Sequence, residues 1–278
     1  MPTGWRIRLT VTSPSSWPAA SKNRTFLVLA PDKYFAMYPP AELKFTAASV
    51  AFWKQAPEIA RTKRYEGFGF EFGVENDTLR REYMQAYHAC ISFIDAQIGV
   101  VFDALKRSGQ WDDTIVVLTS DHGYLLGEKF MWGKVMLFET CNRVPLVIRV
   151  PGQTRAGSSS QGLVELVDLF PTLTELCDVT PPEELQGRSI VPMLRDANTA
   201  GKEVAYTVVV RGSNLGKAIR TNKWHFTLWP DDSEELYNLK ADPKEDKNLA
   251  VSPEYTQTIE SMHKLLEQTE SAATSRQR

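Results

Sequence analysis

Asp121 and His122 stand side by side in Ser120-Asp121-His122-Gly123, and Lys134 follows a short loop further on. The aspartate offers a hard carboxylate and the histidine an imidazole, and either can hold a divalent cation or manage a proton. Alone, the triplet fits equally well an aspartate closing a turn and a histidine satisfied by the backbone. The residues before it favour a site. Ile115, Val116, Val117 and Leu118 form an uninterrupted apolar run, as expected for a strand buried on both faces. Asp121 and His122 fall where that strand ends, and in open α/β sheets ligands collect outside the carboxyl ends of strands.

Other elements must position this loop. Tyr83, Tyr87, Ile91, Ile94, Ile98, Val101 and Leu105 recur at helical spacing, which predicts one long helix with an apolar stripe, ending at Ser108-Gly109. "RTFLVLA", from Arg24 to Ala30, is a short strand candidate stopped by Pro31-Asp32, and a second strand is expected from Val144 in "VPLVIRVPG". Helices are expected at Asp168 to Cys177 and Ser189 to Leu194. From Val204 the texture changes to short strands separated by turn residues, the signature of a small antiparallel sheet. Tyr255, Ile259, Met262 and Leu266 then place an amphipathic helix in the tail. The expected divisions are an irregular or artificial start over 1–23, a partial α/β domain over 24–200, and a small sheet with its closing helix over 201–278.

Bulk properties exclude some partners. The chain of 278 residues has a formal charge of -2 and 24% charged residues, so there is no electrostatic case for nucleic acid. No stretch reads as long and apolar enough for a membrane span, and the first residues lack the apolar core of a secretory leader. Cys90, Cys141 and Cys177 are widely spaced and signal neither zinc nor a disulfide framework. Of the other histidines, His88 reads as a packing or surface residue, His225 as packing in preference to the cleft, and His263 as non-catalytic. Trp224, Phe226 and Trp229 read as one face of a sheet.

The segments "TIVVLTSDHGYLLGE", "RVPLVIRVPG", "FIDAQIGVVFDALKRSG", "VELVDLFPTLTELC", "QGRSIVPML", "AIRTNKWHF" and "ELYNLKADPKEDKNLA" occur in the order and spacing of the sulfatases of the alkaline phosphatase superfamily. The chain resembles the carboxyl-terminal part of the iduronate 2-sulfatase-like branch. This resemblance implies an alkaline phosphatase-like mixed α/β sheet flanked by helices, with a small carboxyl-terminal antiparallel sheet. It implies hydrolysis of a sulfate ester, a sulfated saccharide or small molecule being the expected substrate. Asp121 and His122 become two ligands of one divalent metal, usually calcium, Lys134 becomes the lysine that contacts the sulfate group, and Lys129 a second cation near the same mouth. Arg143 is expected in a structural ion pair. Periplasmic or secreted placement is what the family implies.

The family's nucleophile is a formylglycine made from the Cys or Ser opening C/S-x-P-S-R, and none of the three cysteines begins that motif. The nearest echo, "TSPSS" at Thr12, has threonine at the nucleophile position and Ser16 at the arginine position. The paired aspartates of the family's first strand are absent, as is an H-K-P-H loop between "FLVLA" and "PDKYF". The chain by itself is therefore expected to be inactive. Two other readings stand beside this one. The first is a phosphatase or phosphodiesterase of the same superfamily. The second is a non-catalytic binding module, or a subunit completed by a separate amino-terminal chain.

Overall fold

The computed structural model describes residues 6–7, 29–45, 50–61 and 76–275. Within the start expected to be irregular, Arg6–Ile7 forms β1. The strand expected at Arg24 to Ala30 lies, apart from Leu29 and Ala30, outside the described residues. Two short helices follow, α1 (Asp32–Phe35) and α2 (Val50–Gln55). Then comes α3, Asp77–Arg107, where Asn76 accepts the Leu79 N–H at 3.0 Å as amino-terminal cap. Lys106 and Arg107 occupy its last turn, where cations oppose the negative end of the helix dipole, and Gly109 leaves it at φ 72°.

The long helix and its end at Ser108-Gly109 are as expected, but its apolar stripe is only in part its buried face, Leu105 being the stripe residue that is buried. Its buried residues are Arg80, Met84, Ala89, Cys90 and Leu105, while Ile91 and Val101 are each 47% exposed. The reason is lack of cover: α1 and the turn at Pro40–Glu42 pack on the helix, through contacts such as Tyr34 against Phe93 at 5.4 Å. The same helix corrects a second expectation, since its length and composition would suffice to cross a bilayer.

Beyond α3 the chain forms β2 (Thr114–Thr119), the small β3–β4 ribbon (Leu125–Leu126 and Trp132–Gly133), α4 (Glu139–Asn142) and β5 (Leu146–Arg149). β2 is central in a mixed sheet, parallel to β1 at Thr114 and Ile115, and antiparallel to β5 from Val116↔Arg149 to Thr119↔Leu146. Only its first half is deeply buried, since Leu118 is 37% exposed, contrary to the double-sided burial expected of the run. Ile115 and Val150 pack with Leu173, Leu176 and Val191 from α5 (Leu169–Leu176) and α6 (Val191–Arg195), the two helices expected there.

The carboxyl-terminal sheet is an antiparallel meander in sequence order: β6 (Ala205–Arg211), β7 (Asn214–Arg220), β8 (Trp224–Leu228) and β9 (Glu234–Asn238). Period-two alternation gives it two apolar faces. Ile219, Phe226 and Leu236 meet Met262 and Leu266 of α7 (Thr256–Ser275), the closing helix read from the tail. Val209, Ala218 and Trp229 face the other way, onto Ala60 and Leu137. The three aromatic residues read as one face are thus divided: Trp224 and Phe226 pack toward α7, and Trp229 opposite. Trp229 follows β8 into a turn, where its indole donates to Glu235 at 2.7 Å. The loop between β2 and β5 lies against this sheet, with Leu125, Met131, Met136, Phe138 and Cys141 packed around Phe52 of α2 and Tyr237 of β9.

Candidate active-site cleft

The Asp-His loop begins one residue past β2. The Ser120 hydroxyl donates to the His122 carbonyl at 2.8 Å, and the His122 N–H donates to Asp121 Oδ1 at 3.1 Å. Gly123 N–H donates to the Cys141 carbonyl at 2.8 Å. A Cβ on Gly123 would lie 1.9 Å from the Thr140 carbonyl oxygen, so only glycine permits this approach of the loop to α4. The approach fixes where the two side chains emerge, half-exposed at the rim.

His122 Nδ1 lies 2.9 Å from the Gly123 carbonyl, which can only accept. The ring's Nδ1–H therefore donates there, and Nε2 is the nitrogen left to face the cleft. That nitrogen sits 3.0 Å from Lys134 Nζ and 3.4 Å from Asp121 Oδ2. The adjacent Asp121 and His122 thus meet Lys134, twelve residues further on, at one point. They line a cleft of about 1780 Å³ whose walls include Glu139, Arg220 and His225. A histidine whose second nitrogen is tied to a carbonyl is the usual geometry of a metal-ligating imidazole. The donor set is nonetheless short: among the described residues no cluster of three His, Cys, Asp or Glu side chains is assembled. One carboxylate and one imidazole fit part of a divalent-cation site, well below the six to eight oxygens of calcium.

Lys129 is corrected. It is 4% exposed and does not line the cleft; its ammonium donates to the Glu245 carbonyl, lies 3.5 Å from Asp246 Oδ1 and stands 3.8 Å over the Phe52 ring. Burial pulls its pKa below the ordinary lysine value, against the opposing pull of Glu245 and Asp246. Arg143 lies 3.9 Å from Glu139 and is 74% exposed, a loose pair; Arg220 holds the same carboxylate at 3.2 Å. His88 is bonded to the Met84 carbonyl at 2.7 Å and His263 to Glu234, both away from the cleft.

His225 is buried, and its Nδ1 contacts the Glu245 carboxylate. Burial disfavours its charged form, but Glu245, with Glu139 and Glu235 beyond, outweighs this and raises its pKa above 6.5. Glu245 was missed by sequence reading. Its other carboxylate oxygen accepts the Glu139 N–H at 2.8 Å, the first amide of α4, so one side chain connects β8 with the helix behind Gly123. The segment "ADPKEDKNLA" drew notice, but nothing in its residue types assigned Glu245 a partner distant in the chain. Arg211 was also missed, as was the backbone before it: Lys129, Phe130 and Val135 have φ of 58°, 55° and 71°. For a β-branched residue such as Val135 that conformation costs about 1–3 kcal/mol and needs external support.

Residues 19–179 match the Sulfatase family model, and residues 127–272 match that of N-sulphoglucosamine sulphohydrolase, C-terminal. The chain belongs to the sulfatase family. It is 32% identical over 200 residues to an N-acetylglucosamine-6-O-sulfatase of Bacteroides thetaiotaomicron, an alignment covering 68% of this chain and 36% of that protein. A choline-sulfatase of Rhizobium meliloti is 35% identical over 196 residues, with 66% and 36% covered. The chain therefore spans little more than a third of these relatives' length. Among solved structures, BT4656 in complex with its substrate D-glucosamine-2-N,6-O-disulfate superposes with a TM-score of 0.68 at 29% identity, covering 80% of this chain and 49% of that one. The phosphonate monoester hydrolase of Agrobacterium radiobacter shares the fold, with a TM-score of 0.77 at 24% identity over 88% of this chain and 54% of its own.

Proposed function

We propose that this chain forms the carboxyl-terminal part of a sulfatase acting on a sulfated saccharide, with Lys134 on the sulfate and Asp121 and His122 as two of the metal ligands. The observation that carries this reading is the meeting of Lys134 Nζ and His122 Nε2 at 3.0 Å, beside Asp121. An ammonium held there offsets negative charge as it builds on a sulfuryl oxygen in the transition state. Asp121 and His122 would hold a divalent cation, calcium by the family's habit. When bound, such an ion supplies positive charge to sulfate oxygens. The Gly123 carbonyl fixes the His122 tautomer, leaving Nε2 as the donor atom. The remaining ligands and the formylglycine nucleophile belong to the amino-terminal part of a sulfatase, whether in the same polypeptide or in a second one. Saccharide is favoured because the cleft is large, and because the relatives include an N-acetylglucosamine-6-O-sulfatase and a structure in complex with D-glucosamine-2-N,6-O-disulfate.

A second reading is a phosphatase or phosphodiesterase of the same superfamily, for which a phosphonate monoester serves as the probe. Its support is 31% identity over 197 residues to the multifunctional alkaline phosphatase superfamily protein PehA of Trinickia caryophylli. The test is to assay the chain with calcium, alone and together with an amino-terminal sulfatase half bearing formylglycine, on sulfated glucosamine and on a phosphonate monoester. Alone it is expected to turn over neither. The combination should hydrolyse the sulfate, and Lys134→Ala should lower kcat by about 10²–10³-fold. Faster turnover of the phosphonate would favour the second reading, and turnover indifferent to Lys134→Ala would overturn the first.

A further inference from the structure

The residue after Lys134 is held from outside its own loop. Val135 sits at φ 71° directly after Gly133 at φ 89° and Lys134, so the lysine lies between two left-handed positions. The Val135 carbonyl accepts from Arg211 Nη2 at 2.9 Å, while Arg211 Nε donates to the Ile59 carbonyl at 3.1 Å. The guanidinium also stands 5.2 Å from the centre of the Trp229 ring. Arg211 ends β6, at the tight β6–β7 hairpin where it pairs with Asn214. The valine side chain packs against the buried cluster of Ala60, Leu137, Val209, Ala218 and Trp229. A planar, two-pronged donor at the end of a paired hairpin is thus set against a backbone conformation that valine would otherwise leave.

We propose that Arg211 is a positioning residue: by holding the left-handed Val135, it sets the Lys134 ammonium against His122 and toward the anion in the cleft. The carboxyl-terminal sheet then helps build the site without reaching the substrate. Arg211 reaches the lysine's segment through the Val135 carbonyl. The inference rests on the sulfatase reading for the identity of the anion, and on the geometry alone for the placement of Lys134.

The 278-residue chain is compared with R211M, R211K and the double variant R211M/V135G by NMR, each with its thermal transition. Two quantities are read: the nuclear Overhauser contact between the Lys134 ε-methylene and the His122 ring, and the affinity for inorganic sulfate followed on the amides of Gly133 to Met136. R211M is expected to lose the contact and to bind sulfate about tenfold more weakly, the scale seen when an outer support of a site is removed. R211K retains a charge and one donor, and should lie between. Glycine at 135 adopts the left-handed conformation without help, so the double variant should regain the contact and the affinity; a merely structural role for Arg211 would give no such rescue. The proposal is overturned if R211M and R211K keep the contact, or if the double variant folds like the wild type and fails to regain it. A wild type that shows the contact and its rescue but binds no sulfate would support the positioning role and remove the sulfate reading.

Discussion

Ile219, Phe226 and Leu236 in the carboxyl-terminal sheet are each 0% exposed, whereas Val100 and Val101 on α3 and Val147 on β5 are 61%, 47% and 60% exposed. The first group is sealed under α7, on the face of the sheet away from the β2–β5 loop; the second belongs to an α/β layer with apolar side chains facing solvent. The contrast is one of degree: the α/β layer keeps a core around Ile115 and Val150, and the meander leaves Val208, Val210 and Leu215 exposed, but its face under α7 is closed. The proposed site lies where this closed sheet meets the more open layer: Asp121 and His122 follow β2 of the open layer, while the segment carrying Lys134 packs on the sheet. On the proposed reading, the cationic arm of the site rests on the carboxyl-terminal sheet and the metal-binding arm on a sheet with three strands among the described residues.

The comparison is broken most directly by paired truncations. Phe226→Ala removes a fully buried ring between β8 and α7 and should cost about 3–5 kcal/mol in denaturant unfolding. Val101→Ala, on the uncovered side of α3, should stay within about 0.5 kcal/mol. Equal losses at the two positions would mean that α3 is covered in solution.

Next in size is Gly123→Ala. The added methyl would meet the Thr140 carbonyl oxygen at 1.9 Å, and forcing the loop off α4 should cost about 1–3 kcal/mol, as overpacking does. Calcium titration of the same variant sharpens the comparison. If the open layer alone carries the metal ligands, affinity should fall while the thermal transition of the β6–β9 sheet, followed through Trp229 fluorescence, stays in place.

These outcomes bear on how the sequence could be read. β2, β5 and the Asp-His loop were legible because an apolar run ending in two ligand-type side chains is a local pattern. The meander and α7 were legible for the same reason, through short periodicities and turn residues. α3 shows the limit: period gives the apolar stripe, but what covers it is set by elements elsewhere in the chain. Lys129 shows it again. A lysine near Lys134 in sequence reads as a neighbour in space, yet its left-handed backbone and the Glu245 carbonyl take it into the core. Arg211 and Glu245 act through contacts whose partners lie far away in the chain, so no spacing announces them.

The smallest effect concerns pH and the buried pair behind the cleft. His225 has a pKa above its unfolded value of 6.5, because Glu245 outweighs the cost of burial. A histidine with a raised folded pKa adds stability that is fully present below the unfolded value and is lost as pH rises through the folded one. Stability should therefore decline on the alkaline side of about pH 6.5, with a slope from this one group of at most about 1.4 kcal/mol per pH unit. Glu235 also has a raised pKa, from burial, and contributes with the same sign from a lower pH. Lys129, with its pKa lowered by burial, contributes with the opposite sign at high pH. The His225 contribution is isolated by subtraction: H225Q keeps an amide donor for Glu245 and cannot titrate. Urea unfolding of both proteins from pH 6 to 9 should give curves that converge as pH rises, with the wild type more stable at the acid end. Parallel curves would mean that the pair carries the same charge folded and unfolded, and that Glu245 holds α4 through the Glu139 amide without help from an ionised His225.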